Sequence, residues 1–115
     1  MSFPSVTVIV PTFNRPDGLK KAVSSVFAQT LSDQSGFDLI IVDNHPDGTA
    51  HEMIETLRKD CPSSVHFTAV NEPRAGVANA RNAAMTRVRT DLVAFLDDDM
   101  TAPKDWLGRI LKARE

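Results

Sequence analysis

Four short apolar runs rich in branched residues divide this chain, and their alternation with helix-periodic segments leaves few folds open. The runs cover residues 6–10, 39–42, 65–70 and 92–96, and each has the length of a strand. Three of them lack strict alternation of polar and apolar positions, which predicts burial on both faces, as in a parallel sheet covered by helices. The stretch Val65-His66-Phe67-Thr68-Ala69 alternates instead and is expected at an exposed edge. Between the runs, Leu19, Val23, Val26 and Phe27 recur with helical period, and Met53, Ile54, Leu57 and Cys61 form a second stripe. A third helix is predicted over 76–88, with the small side chains of Ala80 and Ala84, and Val88, on one side. A fourth is expected to start near Pro103, a residue suited to a first helical turn, and to present Trp106, Leu107, Ile110 and Leu111. The order β-α-β-α-β-α-β-α, with right-handed crossovers, predicts an α/β, three-layer, mainly parallel sheet with helices on both faces.

A chain of 115 residues makes a single domain, 1–115, large enough to bury a core. Asp33-Gln34-Ser35-Gly36 and Asp60-Cys61-Pro62-Ser63-Ser64 read as connecting loops, and no repeat or low-complexity tract interrupts the series. No stretch offers the ~18 uninterrupted apolar residues of a transmembrane segment. The opening Met1-Ser2-Phe3-Pro4-Ser5 lacks the basic and apolar regions of a signal peptide. Cys61 is the single cysteine, so an internal disulfide and a cysteine-rich zinc site are excluded, and a cytoplasmic location is expected. For a longer protein, peripheral attachment at the inner membrane face stays open. A net charge of −2 argues against nucleic acid as a partner. The acidity is concentrated: Asp43, Asp97, Asp98 and Asp99 together outweigh that net charge.

In an open parallel sheet, ligands bind beyond the carboxyl ends of the strands, where strand order reverses. The residues there are Pro11-Thr12-Phe13-Asn14-Arg15, Asp43-Asn44-His45, Asn71-Glu72-Pro73-Arg74-Ala75-Gly76 and Asp97-Asp98-Asp99. The last group is the most informative. Three adjacent carboxylates repel one another, by about 4 kcal/mol per pair at ~4 Å and an effective dielectric of ~20, so something positive should offset them. A divalent cation with a preference for hard oxygen, Mn2+ or Mg2+, is the simplest candidate, since it takes one or two carboxylates and leaves its other positions to water and substrate phosphates. The structural alternative is a helix cap or a solvated turn. Phe13 offers a ring face, and Thr12 and Asn14 offer hydrogen-bonding groups, which suits a base better than a phosphate; taken alone, Phe13 reads also as core. Asp43 can accept hydrogen bonds from a base imide or a ribose hydroxyl, or cap the helix that follows. His45 reads as a solvated loop histidine, with contact to a nucleotide or a metal as the alternative. Neither Gly-x-Gly-x-x-Gly after the first strand nor Gly-x-x-x-x-Gly-Lys-Ser/Thr is present, which disfavours a dinucleotide fold and a P-loop.

The ordered set Val8-Ile9-Val10-Pro11-Thr12-Phe13-Asn14-Arg15, Leu39-Ile40-Ile41-Val42-Asp43, Asn71 through Gly76 to Ala80-Arg81-Asn82, and Phe95-Leu96-Asp97-Asp98-Asp99 resembles the family 2 glycosyltransferases of the GT-A fold. What the resemblance implies is a Rossmann-like sheet with the fourth strand beside the first, truncated here to the N-terminal, donor-binding part. It implies that Pro11, Thr12, Phe13, Asn14 and Asp43 hold the nucleoside of a UDP- or GDP-type sugar, with Arg81 near the nucleotide. Asp97 and Asp99 would be the Asp-x-Asp element: Asp99 the first choice for the metal, and Asp97 and Asp98 contacting ribose, metal waters or both. The implied reaction is inverting transfer of a sugar to the hydroxyl of an unknown acceptor. No residue matches the family's catalytic base, which is expected in a C-terminal half, so no catalytic residue is assigned. The chain also departs from the family pattern at Asn44 and His45, where further acids and small hydroxyl residues are usual.

Two other readings compete. Phe95-Leu96-Asp97-Asp98-Asp99-Met100-Thr101 is also similar to the opening motif of haloacid-dehalogenase-like phosphatases, although that motif opens its domain and three βα units precede it here. The other alternative is a non-catalytic module that binds a nucleotide sugar or a metal. Truncation of the domain would leave the 92–96 strand without its neighbour, an open apolar edge, so self-association is expected.

Overall fold

The computed structural model describes residues 6–29 and 36–113. The residues Met1 to Ser5, and the predicted loop Asp33-Gln34-Ser35-Gly36 except for Gly36, lie outside them. The elements follow the expected alternation: β1 (Val6–Thr12), α1 (Pro16–Phe27), β2 (Phe37–Asp43), α2 (His51–Asp60), β3 (Val65–Asn71), α3 (Val77–Met85), β4 (Leu92–Phe95) and α4 (Trp106–Ala113). The strands pair in the order β3-β2-β1-β4, every pair parallel. The order reverses between β1 and β2 on one side and β4 on the other, and the β1 and β4 ends meet there.

The period-2 geometry of the strands sorts their residues onto two faces. Val6, Val8, Val10, Leu39 and Ile41 pack with Leu19, Val23, Val26, Ile54, Leu57 and Leu107 from α1, α2 and α4. Ile9, Ile40 and Val42 turn the other way and pack on Ala80 and Ala84 of α3. Helices therefore cover both faces, and all seven residues of β2 are buried. Each Ile, Leu or Val so buried contributes roughly 1.5–3 kcal/mol relative to exposure. The expected edge strand is at an edge: after Val65, the residues of β3 are only partly covered or exposed.

Element ends differ from the sequence expectation, each for a local reason. The first two strands run on to Thr12 and Asp43, so both site loops hang from the sheet itself. The third helix stops at Met85 instead of Val88, because the Thr86 hydroxyl donates to the Ala83 carbonyl at 2.8 Å and the next two amides bond three residues back. Val88 still packs on that face. The fourth helix starts at Trp106, not at Pro103. Gln29 clamps the approach, its Nε2 donating to the Pro103 carbonyl at 2.6 Å and its Oε1 accepting from Leu107 N at 2.9 Å. The Ser25 hydroxyl accepts from Ala102 N at 2.9 Å. Together these hold the chain leaving Asp99 against α1. Gly18 makes that approach possible, since a Cβ there would collide with the Asp98 carbonyl oxygen.

Candidate functional site

At the carboxyl ends of β1 and β4 lies a cavity of about 250 Å³. Its walls include Pro11, Thr12, Phe13, Arg81, Asp97, Asp98 and Asp99, so seven of the residues singled out from sequence come together. Asn14 and Asp43 are not among them. Asn14 is exposed and adopts a left-handed backbone, φ 54°, which an Asn tolerates better than most residues. It makes the turn that carries the chain from Phe13 into α1. Asp43 is 3% exposed and faces a neighbouring groove that Gly48 and Asn71 also line.

The three acids after β4 have different environments. Asp98 is turned inward: its Oδ2 accepts from the buried Thr12 hydroxyl at 2.8 Å and from Phe13 N at 3.4 Å, and Arg15 Nε lies 3.7 Å from its Oδ1. It stitches the end of β4 to the end of β1. Asp97 and Asp99 are exposed, and neither carboxylate has a hydrogen bond or ion pair to another described residue. The Met100 amide bonds the Asp97 carbonyl at 3.1 Å, closing the triplet into a turn. Two uncommitted carboxylates on one cavity could serve as donors to a hard divalent cation. No group of three or more His, Cys, Asp or Glu among the described residues is arranged to hold a metal alone. A donor set of two suits an ion of the Mg2+ type, which keeps its other positions for water and phosphate oxygens.

The β2 end is built differently, with its polar groups already satisfied. Asp43 Oδ2 accepts from Ala50 N at 2.9 Å and Oδ1 from His45 N at 3.2 Å, so the carboxylate caps the entry to α2 and holds the loop. His45 is not simply solvated. Its Nδ1 accepts from Asp47 N at 3.1 Å, and its ring packs on Phe13 with centroids 4.9 Å apart. Phe13 is itself 48% exposed, so it is not core. Asp43 thus reaches the cavity through His45 and the Phe13 ring.

Asn44 forms part of the cavity wall, but its amide fastens the β3–α3 connection. Nδ2 donates to the Glu72 and Arg74 carbonyls at 3.0 and 2.9 Å, and Oδ1 accepts from Gly76 N at 3.0 Å. Gly76 has φ 128°, a conformation that only glycine adopts without strain. Glu72, nearly buried, accepts from Arg74 N at 2.9 Å and from the Arg74 guanidinium at 2.9 and 3.2 Å. Those hydrogen bonds hold the Glu72 carboxyl below its ordinary range.

Arg81 projects from α3 into the cavity wall beside Phe95, its guanidinium carbon 5.0 Å from the ring centroid. Sequence reasoning read Phe95 only as a strand residue and did not single out Val77, which also lines the cavity. The signal for Phe95 was its place two residues before Asp97 on a strand expected to have an open edge.

The Glycosyl transferase family 2 model matches residues 7–115. The chain is 31% identical over 107 residues to "Succinoglycan biosynthesis protein ExoM" of Rhizobium meliloti (strain 1021), covering 93% of this chain and 34% of that protein. It is 33% identical over 109 residues to "Uncharacterized glycosyltransferase YfnE" of Bacillus subtilis (strain 168), covering 95% and 26%. Among solved structures, the mannosyltransferase PcManGT from Pyrobaculum calidifontis in complex with GDP-Man and Mn2+ superposes with a TM-score of 0.81 and 28% identity, over 95% of this chain and 32% of that one. The S. aureus TarS 1-349 structure, at 21% identity, shares the fold with a TM-score of 0.78 over 94% of this chain and 31% of that one. This chain spans about a third or less of the length of these proteins.

Proposed function

Because the chain belongs to glycosyl transferase family 2, we propose that it binds a nucleotide-diphosphate sugar and supplies the donor half of a metal-dependent, inverting sugar transfer to an acceptor hydroxyl. The observation that carries this reading is the pair of uncommitted carboxylates, Asp97 and Asp99, on the same cavity as the exposed Phe13 ring and the Arg81 guanidinium. The family assignment leaves the phosphatase reading without support. The GDP-Man and Mn2+ of the mannosyltransferase and the UDP-GlcNAc of a TarS complex are consistent with a donor of the GDP or UDP type.

In this reading Pro11, Thr12 and Phe13 hold the nucleoside, with the base against the Phe13 ring. Asn14 turns the chain so that the ring faces the cavity, and Asp43 supports it from behind through His45. Arg81 meets the diphosphate with a planar fork of N–H donors. Asp99, with Asp97, holds Mn2+ or Mg2+, and Asp97 and Asp98 border the ribose side. When bound, the cation neutralises the diphosphate, which is both the binding handle and the leaving group. The base that takes the acceptor proton must lie within hydrogen-bond reach of that hydroxyl, and we assign it to no residue of this chain. The acceptor site likewise falls to a partner segment or protein. We place the activity in the cytoplasm, and among the described residues no helix is long and apolar enough to cross a membrane.

Calorimetric titration with UDP and GDP, with and without Mn2+, tests the reading. Nucleotide binding strengthened by Mn2+ is expected. Asp99→Ala should abolish the strengthening, whereas Asp43→Ala should weaken nucleotide and nucleoside alike without metal. Equal, metal-independent effects from both variants would contradict these roles.

A further inference from the structure

Five arginines, Arg15, Arg58, Arg74, Arg89 and Arg109, pair with carboxylates, four of them through guanidinium hydrogen bonds. Arg81, like Arg87, has no side-chain hydrogen bond or ion pair to another described residue, but its guanidinium carbon lies over the Phe95 ring, 5.0 Å from the centroid. That difference matters because a guanidinium uses its flat face to contact a ring while its N–H donors lie in the plane. Stacking restrains the group yet leaves every donor and the full charge available. Phe95 is 41% exposed on an edge strand, and its register opposite Ile9 puts it on the face that α3 covers. A large ring left half in water is costly.

We propose that Phe95 is a positioning residue that holds the Arg81 guanidinium at the cavity wall, oriented for the diphosphate of a nucleoside diphosphate. The inference rests on the donor-binding reading and extends it to a residue that does not itself bond the ligand. Ordering the arginine before the ligand arrives reduces the entropy lost on binding.

The test compares GDP and UDP with guanosine and uridine in titrations of the whole chain. Phe95→Leu, which keeps an apolar side chain but removes the ring, should weaken diphosphate binding by about two- to fivefold, the range of an exposed cation–π contact. Nucleoside binding should not change, and Phe95→Tyr should restore diphosphate affinity. In an Arg81→Ala background, Phe95→Leu should have no further effect. If Phe95→Leu does not fold, Phe95→Met serves the same comparison. Unchanged diphosphate binding, an equal loss for nucleoside and diphosphate, or a failure of the tyrosine to rescue would overturn the inference alone. A wild-type chain that binds neither UDP nor GDP would sink the donor-binding reading and the inference with it.

Discussion

Replacing each member of the Asp97-Asp98-Asp99 run with alanine should separate them into two kinds. Asp98→Ala removes a charge-assisted hydrogen bond of 2.8 Å from Thr12, a residue only 2% exposed whose hydroxyl is left without that acceptor. Such a bond contributes about 1.5–3 kcal/mol. The Phe13 amide at 3.4 Å adds little, and the Arg15 pair at 3.7 Å, with its arginine side chain 55% exposed, adds at most ~1 kcal/mol. The expected loss is therefore about 2–3 kcal/mol. At roughly 4 °C per kcal/mol for a domain of this size, the melting temperature should fall by roughly 8–12 °C. Asp97→Ala and Asp99→Ala break no contact with a described residue and relieve repulsion, so their stability should stay within ~0.5 kcal/mol of wild type or rise. Thermal denaturation followed by circular dichroism at neutral pH, in chelator, measures all three. Three coincident melting curves, or Asp99→Ala melting lowest, would refute the division.

Three further outcomes follow from other parts of the structure. The Glu72 carboxyl is held low by its bonds to Arg74, so its contribution is in full above the ordinary Glu value of about 4.3 and is lost as pH falls through the lower folded value; acid titration of stability should show a step there that Glu72→Gln abolishes, and an unchanged acid limb speaks against the clamp. Arg89 Nε and Nη2 bond the buried Asp38 carboxylate at 2.8 and 3.2 Å at the opposite end of the sheet; Arg89→Ala should lower the urea unfolding midpoint by leaving that carboxylate unpaired, and a midpoint equal to wild type would count against it. Among the described residues β4 has no strand on its outer side, and its last residue, Phe95, is exposed, so light scattering at micromolar concentration should detect self-association, which a clean monomer would disprove.

The layers of the fold were readable because they depend on periodicity, which a sequence displays directly. Branched runs became β1 to β4, and the stripes through Leu19 and Ile54 became buried helix faces. The meeting of the Phe13 loop with the Asp triplet followed from strand order, since β4 lies beside β1. What single residues do at the strand ends was less readable, because a carboxylate has the same composition whether it meets a ligand or a backbone N–H. Asp43 accepts from backbone amides at the entry to α2, and Asn44 fastens the β3–α3 loop. His45 found an aromatic neighbour 32 residues away in the chain, a contact that no local pattern contains.

The division between committed and uncommitted acids has a consequence for the order of binding. Asp43, Glu72 and Asp98 are each held by donors of the protein itself, so their oxygens are offset within the frame. The charges left uncommitted on the cavity wall are the two exposed carboxylates and the Arg81 cation. A nucleoside diphosphate brought to that surface meets repulsion from Asp97 and Asp99 that one arginine only partly cancels. A divalent cation between carboxylates and diphosphate reverses the sign of that interaction. In the proposed reading, cation and nucleotide therefore raise each other's affinity by the same factor, as linkage requires. In the same reading Arg81 meets the diphosphate without the cation, so neutralising it should weaken the nucleotide in the presence and absence of metal alike.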